Sequence, residues 1–180
     1  MASEPAAEPA MIADGEHLWF LGTFVRVKLD GAQTGGRLGA LEILFPRGAA
    51  PPLHSHPEDE TIFVLEGELT TWIVDPELLG EEAGDPRAWV SERAQRCGPG
   101  AVLYAPGGTP HTFRVESDTA RVLTLSTPAG IEAFARALGE PARWPWLQPP
   151  ADGPRVAPEQ IEAIESRFGM VRHGPPPPSA

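Results

Sequence analysis

The chain has 180 residues, a length typical of one domain, and its 41% hydrophobic content suffices for a buried core, which excludes a wholly disordered protein. Its 19 Gly and 22 Pro are roughly twice the usual share, so turns should be frequent and helices short. With 25 acidic and 14 basic residues, the net charge of -11 disfavours nucleic acid and anionic membranes as partners.

The remaining composition points to a cytoplasmic protein. The single cysteine, Cys97, cannot form an internal disulfide, and no apolar run approaches the roughly 18 residues that a membrane span needs. The first ten residues lack the basic start and the apolar stretch of a secretory signal. We therefore expect a soluble protein whose partners are small molecules.

Short apolar segments dominate the first two thirds of the chain. Residues 1–15 are rich in Ala, Pro and Glu, and we expect them to form a disordered tail. Segments rich in β-branched and aromatic residues follow, separated by Gly, Pro and Asp, which is typical of an antiparallel sandwich or barrel. The predicted strands are residues 20–29, 39–45, 61–65, 69–74, 101–105, 111–115 and 120–125. Residues 75–98 are expected to form a long surface loop with an acidic cluster.

The last third of the chain has a different pattern, typical of two short helices. Apolar residues recur at helical spacing from Ile131 to Leu138, and Gly139 ends that run. Pro158 begins a second helix, which ends at Gly169. A Pro-rich connector separates them over residues 141–154, and residues 174–180 should form an extended tail. We therefore predict a β-barrel over residues 16–128 and a helical extension over residues 129–180.

Two histidines stand two positions apart, and a carboxylate follows them. In an extended strand such side chains share a face, so His54 and His56 project the same way. Glu60 keeps that parity if the chain stays extended. The segment thus predicts two imidazoles and one carboxylate directed at one point.

A third histidine, His111, follows a rigid turn built from Pro106, Gly107, Gly108 and Pro110. This turn would bring the strand that starts at His111 beside the first pair. Three neutral imidazoles and one carboxylate bind a divalent transition metal and leave positions for water, oxygen or substrate. We therefore predict a catalytic metal site with four ligands: His54, His56, Glu60 and His111. Fe(II), Mn, Ni, Co, Cu and Zn all accept these donors, so the identity of the metal stays open.

This pattern resembles the two sequence motifs of the cupin superfamily. The first motif is glycine, five residues, His-x-His, three or four residues, Glu, six residues and glycine, and it is matched in full from Gly48 to Gly67. The second is matched from Gly100 to His111, but the final Asn of the family is Val115 here. That position is not a metal ligand in the family. The resemblance implies an all-β fold, a cupin jelly-roll barrel with two short C-terminal α-helices.

Among cupins, the chain is similar to small bacterial single-cupin proteins of the quercetin 2,3-dioxygenase type. The likeness rests on the metal motifs and, more loosely, on the exit from the last strand at residues 127–130 and the two helices. In those proteins three histidines and a glutamate hold the metal, and the glutamate also accepts the proton of the flavonol hydroxyl. The resemblance implies a metal-dependent dioxygenase for a phenolic or enol-type aromatic substrate, with Glu60 as the catalytic base.

Two other functions use the same residues. One is a non-oxidative, metal-dependent cupin of secondary metabolism: a cyclase, isomerase or decarboxylase. The other is a cupin that binds a small molecule without catalysis. Oxygen consumption separates the dioxygenase from both.

The choice of carboxylate and the pocket wall also stay open. Glu58 and Asp59 flank Glu60, and a β-bulge after Pro57 would change which acid points inward. Four side chains are candidates for the substrate pocket, although they suit a plain core as well: Ile62, Val64, Tyr104 and Phe113.

A homodimer is expected from the size of the chain and its apolar surface. Small cupins commonly dimerise, and the chain offers apolar interface material in Phe24, Trp144 and Trp146.

Overall fold

The computed structural model of the protein describes residues 15–75, 94–142 and 156–177. Nearly all of the expected N-terminal tail, most of the acidic loop and most of the Pro-rich connector lie outside these residues. Trp144 and Trp146 lie outside them as well. The expected interface residue Phe24 is 3% exposed, so it belongs to the interior of the molecule rather than to its surface.

The described residues form short strands and helices. The strands are β1 (Glu16–Phe20), β2 (Thr23–Leu29), β3 (Gly39–Pro46), β4 (Leu53–Ser55), β5 (Asp59–Glu66), β6 (Leu69–Ile73), β7 (Gln95–Cys97), β8 (Val102–Ala105), β9 (His111–Val115), β10 (Thr119–Thr127), β11 (Glu140–Pro141) and β12 (Val171–Gly174). The helices are α1 (Gly31–Thr34), α2 (Ile131–Leu138) and α3 (Pro158–Arg167).

The strands form two antiparallel sheets. One sheet has seven strands in the order β11-β1-β2-β3-β10-β5-β8, and the other has five in the order β12-β4-β9-β6-β7. Neighbours in each sheet are often distant in sequence, because the chain crosses repeatedly from one sheet to the other, as in a jelly roll. The predicted all-β jelly-roll fold is therefore confirmed.

The core lies between the inner faces of the two sheets. Strands of the larger sheet contribute Val25, Leu41 and Val122, and strands of the smaller sheet contribute Leu69 and Val115, all between 0 and 2% exposed. Strands β5 and β10 alternate buried and more exposed residues, which is the two-residue period of a sheet with one buried face. Val115, the departure from the second cupin motif, is part of this core.

The first predicted strand, residues 20–29, is in fact a hairpin. Leu21 and Gly22 have φ of 46° and 83°, so the chain reverses between β1 and β2. Two successive residues with positive φ are typical of a tight I′ hairpin turn, but Leu rarely occupies such a position. Because Leu21 continues the apolar run, the sequence pattern does not indicate this turn.

Helix α2 packs against β1, β3 and α3. Phe134 on this helix makes edge-to-face contacts with Phe20 of β1 and with Phe168 after α3, each at 5.7 Å between ring centroids. The C-terminal residues then return to the smaller sheet, where β12 pairs with β4 as its outer strand. No helix among residues 15–75, 94–142 and 156–177 is long and apolar enough to cross a membrane.

Candidate metal centre

Two of the predicted ligands are direct neighbours across a pair of strands. His54 on β4 and His111 on β9 are Cα partners in the smaller sheet. Cross-strand partners carry their side chains on the same face, so both imidazoles point into the barrel, with ring centroids 4.6 Å apart. The three-residue strand β4 is therefore long enough to place His54, from the first motif, beside His111, from the second.

His56 and Glu60 reach the same point by different routes. The chain bends after β4, and Glu60 belongs to β5 in the opposite sheet. The chain does not stay extended from His54 to Glu60, because a bend at residues 57–58 carries it across the barrel. Glu60 Oε2 nevertheless lies 3.5 Å from His56 Nε2 and 2.9 Å from His111 Nε2. The carboxylate faces the imidazoles across the gap between the sheets.

The turn before His111 is held against this bend by backbone contacts. The Gly108 N–H donates to the carbonyl of His56 at 2.8 Å, and the Gly107 N–H donates to the Asp59 carboxylate at 2.7 Å. A Cβ on Gly107 would lie 2.2 Å from the carbonyl oxygen of Pro57. Only glycine permits so close an approach of two backbones, and this approach fixes where the strand of His111 begins.

Hydrogen bonds select the tautomer of two ligands. Nδ1 of His54 lies 2.8 Å from the Pro52 carbonyl oxygen, and Nδ1 of His111 lies 2.8 Å from that of Thr109. A carbonyl can only accept, so each Nδ1 carries the proton and each neutral ring keeps its lone pair on Nε2. Outer partners of this kind orient metal-bound histidines in known sites.

The donor set fits a metal ion. One nitrogen from each of His54, His56 and His111 can be chosen so that all three lie within 4.8 Å of one another. Nε2 of His56 and Nε2 of His111 are buried and have no partner in hydrogen-bond geometry. Buried nitrogens without partners are costly, and a cation at their centre would satisfy them.

Charge balance supports this fit. The Glu60 oxygen and His111 Nε2 are both acceptors when the ring is neutral, so a separation of 2.9 Å requires a proton or a metal ion beside them. Without metal, burial lowers the pKa of His111, but its contact with Glu60 outweighs burial and raises it. Burial raises the pKa of Glu60, yet the two imidazoles lower it overall. Burial and the nearby His111 lower the pKa of His54 to about 4, so that ring is neutral at pH 7.

The three neighbouring acids occupy three different environments. Asp59 faces outward, where its carboxylate accepts from the Tyr104 hydroxyl at 2.9 Å. Glu58 lies behind His56, with Oε2 3.2 Å from Nδ1. Glu60 is the acid of this segment that contacts the two Nε2 atoms.

A largely apolar cavity of about 320 Å³ opens above the cluster. His54, Glu60 and His111 form part of its lining, and Phe113 stands in its wall, where its ring packs edge-on against Phe45 at 5.0 Å. The volume is near the lower end of the roughly 300–1,000 Å³ typical of ligand pockets, which favours a compact ligand.

Three expected pocket residues lie elsewhere. Ile62 and Val64 follow Glu60 on the inner face of β5, but both are buried in the core rather than in the wall of this cavity. Tyr104 is 52% exposed and lies outside it. Its strand partner is Thr61, one position from Glu60, so the pleat of the sheet directs Tyr104 to the outer face.

Sequence reasoning missed most of the cavity wall. Leu41, Ile43 and Phe45 line the cavity from one face of β3, and their two-residue spacing was a readable signal. Glu165 and Arg172 also line it, from α3 and β12. No local pattern marks these two, because their position depends on the pairing of β12 with β4.

Comparison with known proteins agrees with this geometry. The cupin domain family matches residues 41–127. Quercetin 2,3-dioxygenase of Bacillus subtilis (strain 168) is 26% identical over 117 residues, which cover 64% of this chain and 30% of that protein. The chain therefore spans less than a third of this relative's length.

A solved cupin structure shows the same fold. An RmlC-like cupin from Shewanella frigidimarina NCIMB 400 superposes with a TM-score of 0.51 at 15% identity, covering 70% of this chain and 96% of the other. The polyketide cyclase RemF from Streptomyces resistomycificus has a TM-score of 0.45 at 20% identity, covering 71% and 78%. The matched domain, the two-sheet barrel and the two histidine motifs coincide, so residues 41–127 form a cupin domain.

Proposed function

We propose that this cupin is a metal-dependent dioxygenase for a compact phenolic or enol-type molecule. The observation that carries the proposal is the convergence of three imidazoles and the Glu60 carboxylate beside an apolar cavity, which His54, Glu60 and His111 help to line. Similarity to quercetin 2,3-dioxygenase favours oxygen as the co-substrate, although it covers 30% of that protein.

The cluster would hold the metal through His54, His56, Glu60 and His111. A divalent ion bound there lowers the pKa of a substrate hydroxyl and supplies the Lewis-acid and redox chemistry that a reaction with oxygen requires. The carbonyl-bonded Nδ1 atoms orient His54 and His111, so their Nε2 atoms stay directed at the ion.

Glu60 is the proposed base. Its pKa is lowered by the neighbouring imidazoles, so it is ionised at neutral pH and can take the proton of a substrate hydroxyl at Oε2. Its side chain is 8% exposed. The apolar wall formed by Leu41, Ile43 and Phe113 would exclude water and protect the resulting enolate from reprotonation.

Oxygen uptake tests the proposal. Protein purified without oxygen, loaded in turn with Fe(II), Mn, Ni, Co or Cu, is offered a panel of flavonols and smaller enols in an oxygen electrode. We expect uptake with at least one metal and substrate, and His56→Ala should lose both metal and uptake. His17→Ala is the matched control, because His17 lies on β1 away from the cluster.

Two outcomes would contradict a dioxygenase. Conversion of a substrate under strict anaerobiosis would favour a cyclase, isomerase or decarboxylase, since the deprotonation by Glu60 does not itself need oxygen. Full metal occupancy with bound ligand and no conversion in either atmosphere would favour a binding protein.

A further inference from the structure

The C-terminal strand places a cation beside the candidate metal centre. Arg172 on β12 and His54 on β4 are Cα partners in the smaller sheet. Cross-strand partners share a face at roughly 5 Å between Cβ atoms, so Arg172 projects toward the same cavity as the ligand histidine. Its side chain is 45% exposed, which places the guanidinium at the mouth of the cavity rather than in the core.

Within the part of the chain that the structure describes, this cation pairs with one acid, Glu165. The Arg172 guanidinium donates to Glu165 Oε1 on α3 at 2.7 Å, and the Glu165 side chain is 12% exposed. Both residues line the cavity. A guanidinium has five N–H donors, and one carboxylate oxygen uses few of them. Donors therefore remain for a second carboxylate at the mouth.

The charges that line the cavity favour an anion. Among the described lining residues, the charged side chains are Glu60, Glu165 and Arg172, for a formal charge of -1 with neutral imidazoles. A divalent metal ion would make it +1. A substrate with one negative charge would then neutralise the cavity, and Arg172 is the lining group that can pair with it directly.

We propose that Arg172 determines specificity for an acidic substrate: a compact, mostly apolar molecule whose carboxylate pairs with this guanidinium while another oxygen faces the histidine cluster. The inference rests on the proposed function, since it takes the cluster as the reacting end of the cavity. Glu165 holds Arg172 in place in the free protein and competes with the substrate carboxylate for it.

The test uses a matched pair of probes, 2-naphthoate and 2-naphthamide, which differ in charge but hardly in shape. Their affinities are measured by calorimetry with Zn(II)-loaded protein, in which no redox turnover occurs, and again with metal-free protein. Wild type should prefer naphthoate. Arg172→Gln should weaken naphthoate binding about tenfold and leave naphthamide within about twofold, as expected for loss of one charged hydrogen-bonding partner.

Glu165→Gln is the more informative variant, because removal of a competitor strengthens naphthoate binding whereas removal of a purely structural partner weakens it. If Glu165 competes, Glu165→Gln should strengthen naphthoate binding while Arg172→Gln weakens it. Arg167→Gln and Glu162→Gln are the controls for net charge, since both residues are exposed on α3 and do not line the cavity. In the double variant Glu165→Gln/Arg172→Gln, no Glu165 carboxylate is left without its cation. This variant therefore tests the role of Arg172 if Arg172→Gln alone does not fold.

Three results would overturn the inference. One is wild-type protein that binds naphthoate no better than naphthamide. Another is a double variant that keeps the full preference for naphthoate. The third is weaker binding of both probes in both single variants, which would make the Arg172–Glu165 pair structural. Failure of the proposed function is seen separately, as failure to take up zinc, and the metal-free arm still tests Arg172 in that case.

Discussion

Glu58 is expected to strengthen metal binding through His56. His54 and His111 donate from Nδ1 to backbone carbonyls, whereas Nδ1 of His56 faces the Glu58 carboxylate at 3.2 Å. That carboxylate is 14% exposed, so solvent screens it only partly. A negative charge behind an imidazole increases the basicity of its other nitrogen and fixes the ring. Glu58→Gln removes this charge and keeps the size of the side chain.

Loss of such an outer partner lowers metal affinity by about 10- to 100-fold in known sites. The Gln amide oxygen can still accept from Nδ1, so we expect the lower end, about tenfold, or about 1.4 kcal/mol. Competition with a chromophoric chelator measures the affinity for Zn(II). Glu66→Gln is the control, because it makes the same charge change at the exposed end of β5, where Glu66 pairs with Arg121.

Gly130→Ala tests the position of the carboxylate without changing any charge. A Cβ on Gly130 would lie 2.0 Å from Glu58 Oε1, and the φ of -179° at Gly130 is open to alanine. The flexible end of Glu58 would have to leave its present position beside His56. We expect a smaller loss of affinity in the same direction. Unchanged zinc affinity in both Glu58→Gln and Gly130→Ala would refute the role of Glu58.

Three further predictions concern the scaffold. Gly107→Ala should lower the free energy of unfolding by about 1–3 kcal/mol and weaken zinc binding, since its Cβ would meet a backbone carbonyl. Gly98→Ala, with open space around its Cβ, should do neither. Leu53→Ala should cost about 2–5 kcal/mol in urea denaturation because Leu53 is 0% exposed, whereas Leu65→Ala at 37% exposure should cost far less. Metal-free protein should lose stability as the pH falls from 6.5 towards 4, because His54 binds a proton in the unfolded protein but not in the folded protein. In His54→Gln the free energy of unfolding should depend less on pH over this range.

The parts of the fold that the sequence predicted are those with a local signal. Strands β5 and β10 alternate buried and more exposed residues over most of their eight and nine positions, which is long enough to show a two-residue period. Helices α2 and α3 are bounded by Gly139 and Pro158. Those elements could be read directly from residue types.

The missed strands are short or depend on a distant partner. β4 has three residues after two prolines, too few for any period, and β12 is a four-residue strand at the end of the described chain. β7, with three residues, lies inside the expected surface loop. Such strands form because a partner strand is already in place, which is a property of the folded barrel rather than of the segment. This is why Arg172 was not foreseen.

The spacing of the first motif indicates Glu60 as the inward-facing acid, although the chain does not stay extended up to it. The chain bends after β4, and Glu60 approaches from the opposite sheet. The spacing of the motif still applies, because it covers the end of β4, the bend and the start of β5 in the opposite sheet. The acid that follows His56 by four residues is the inward-facing one only because β5 begins at Asp59 and alternates from there, with Asp59 outward and Glu60 inward. The pairing of β5 with β10 and β8 fixes this alternation, so the family's spacing of three or four residues before the glutamate changes the length of the bend and not the acid that faces inward.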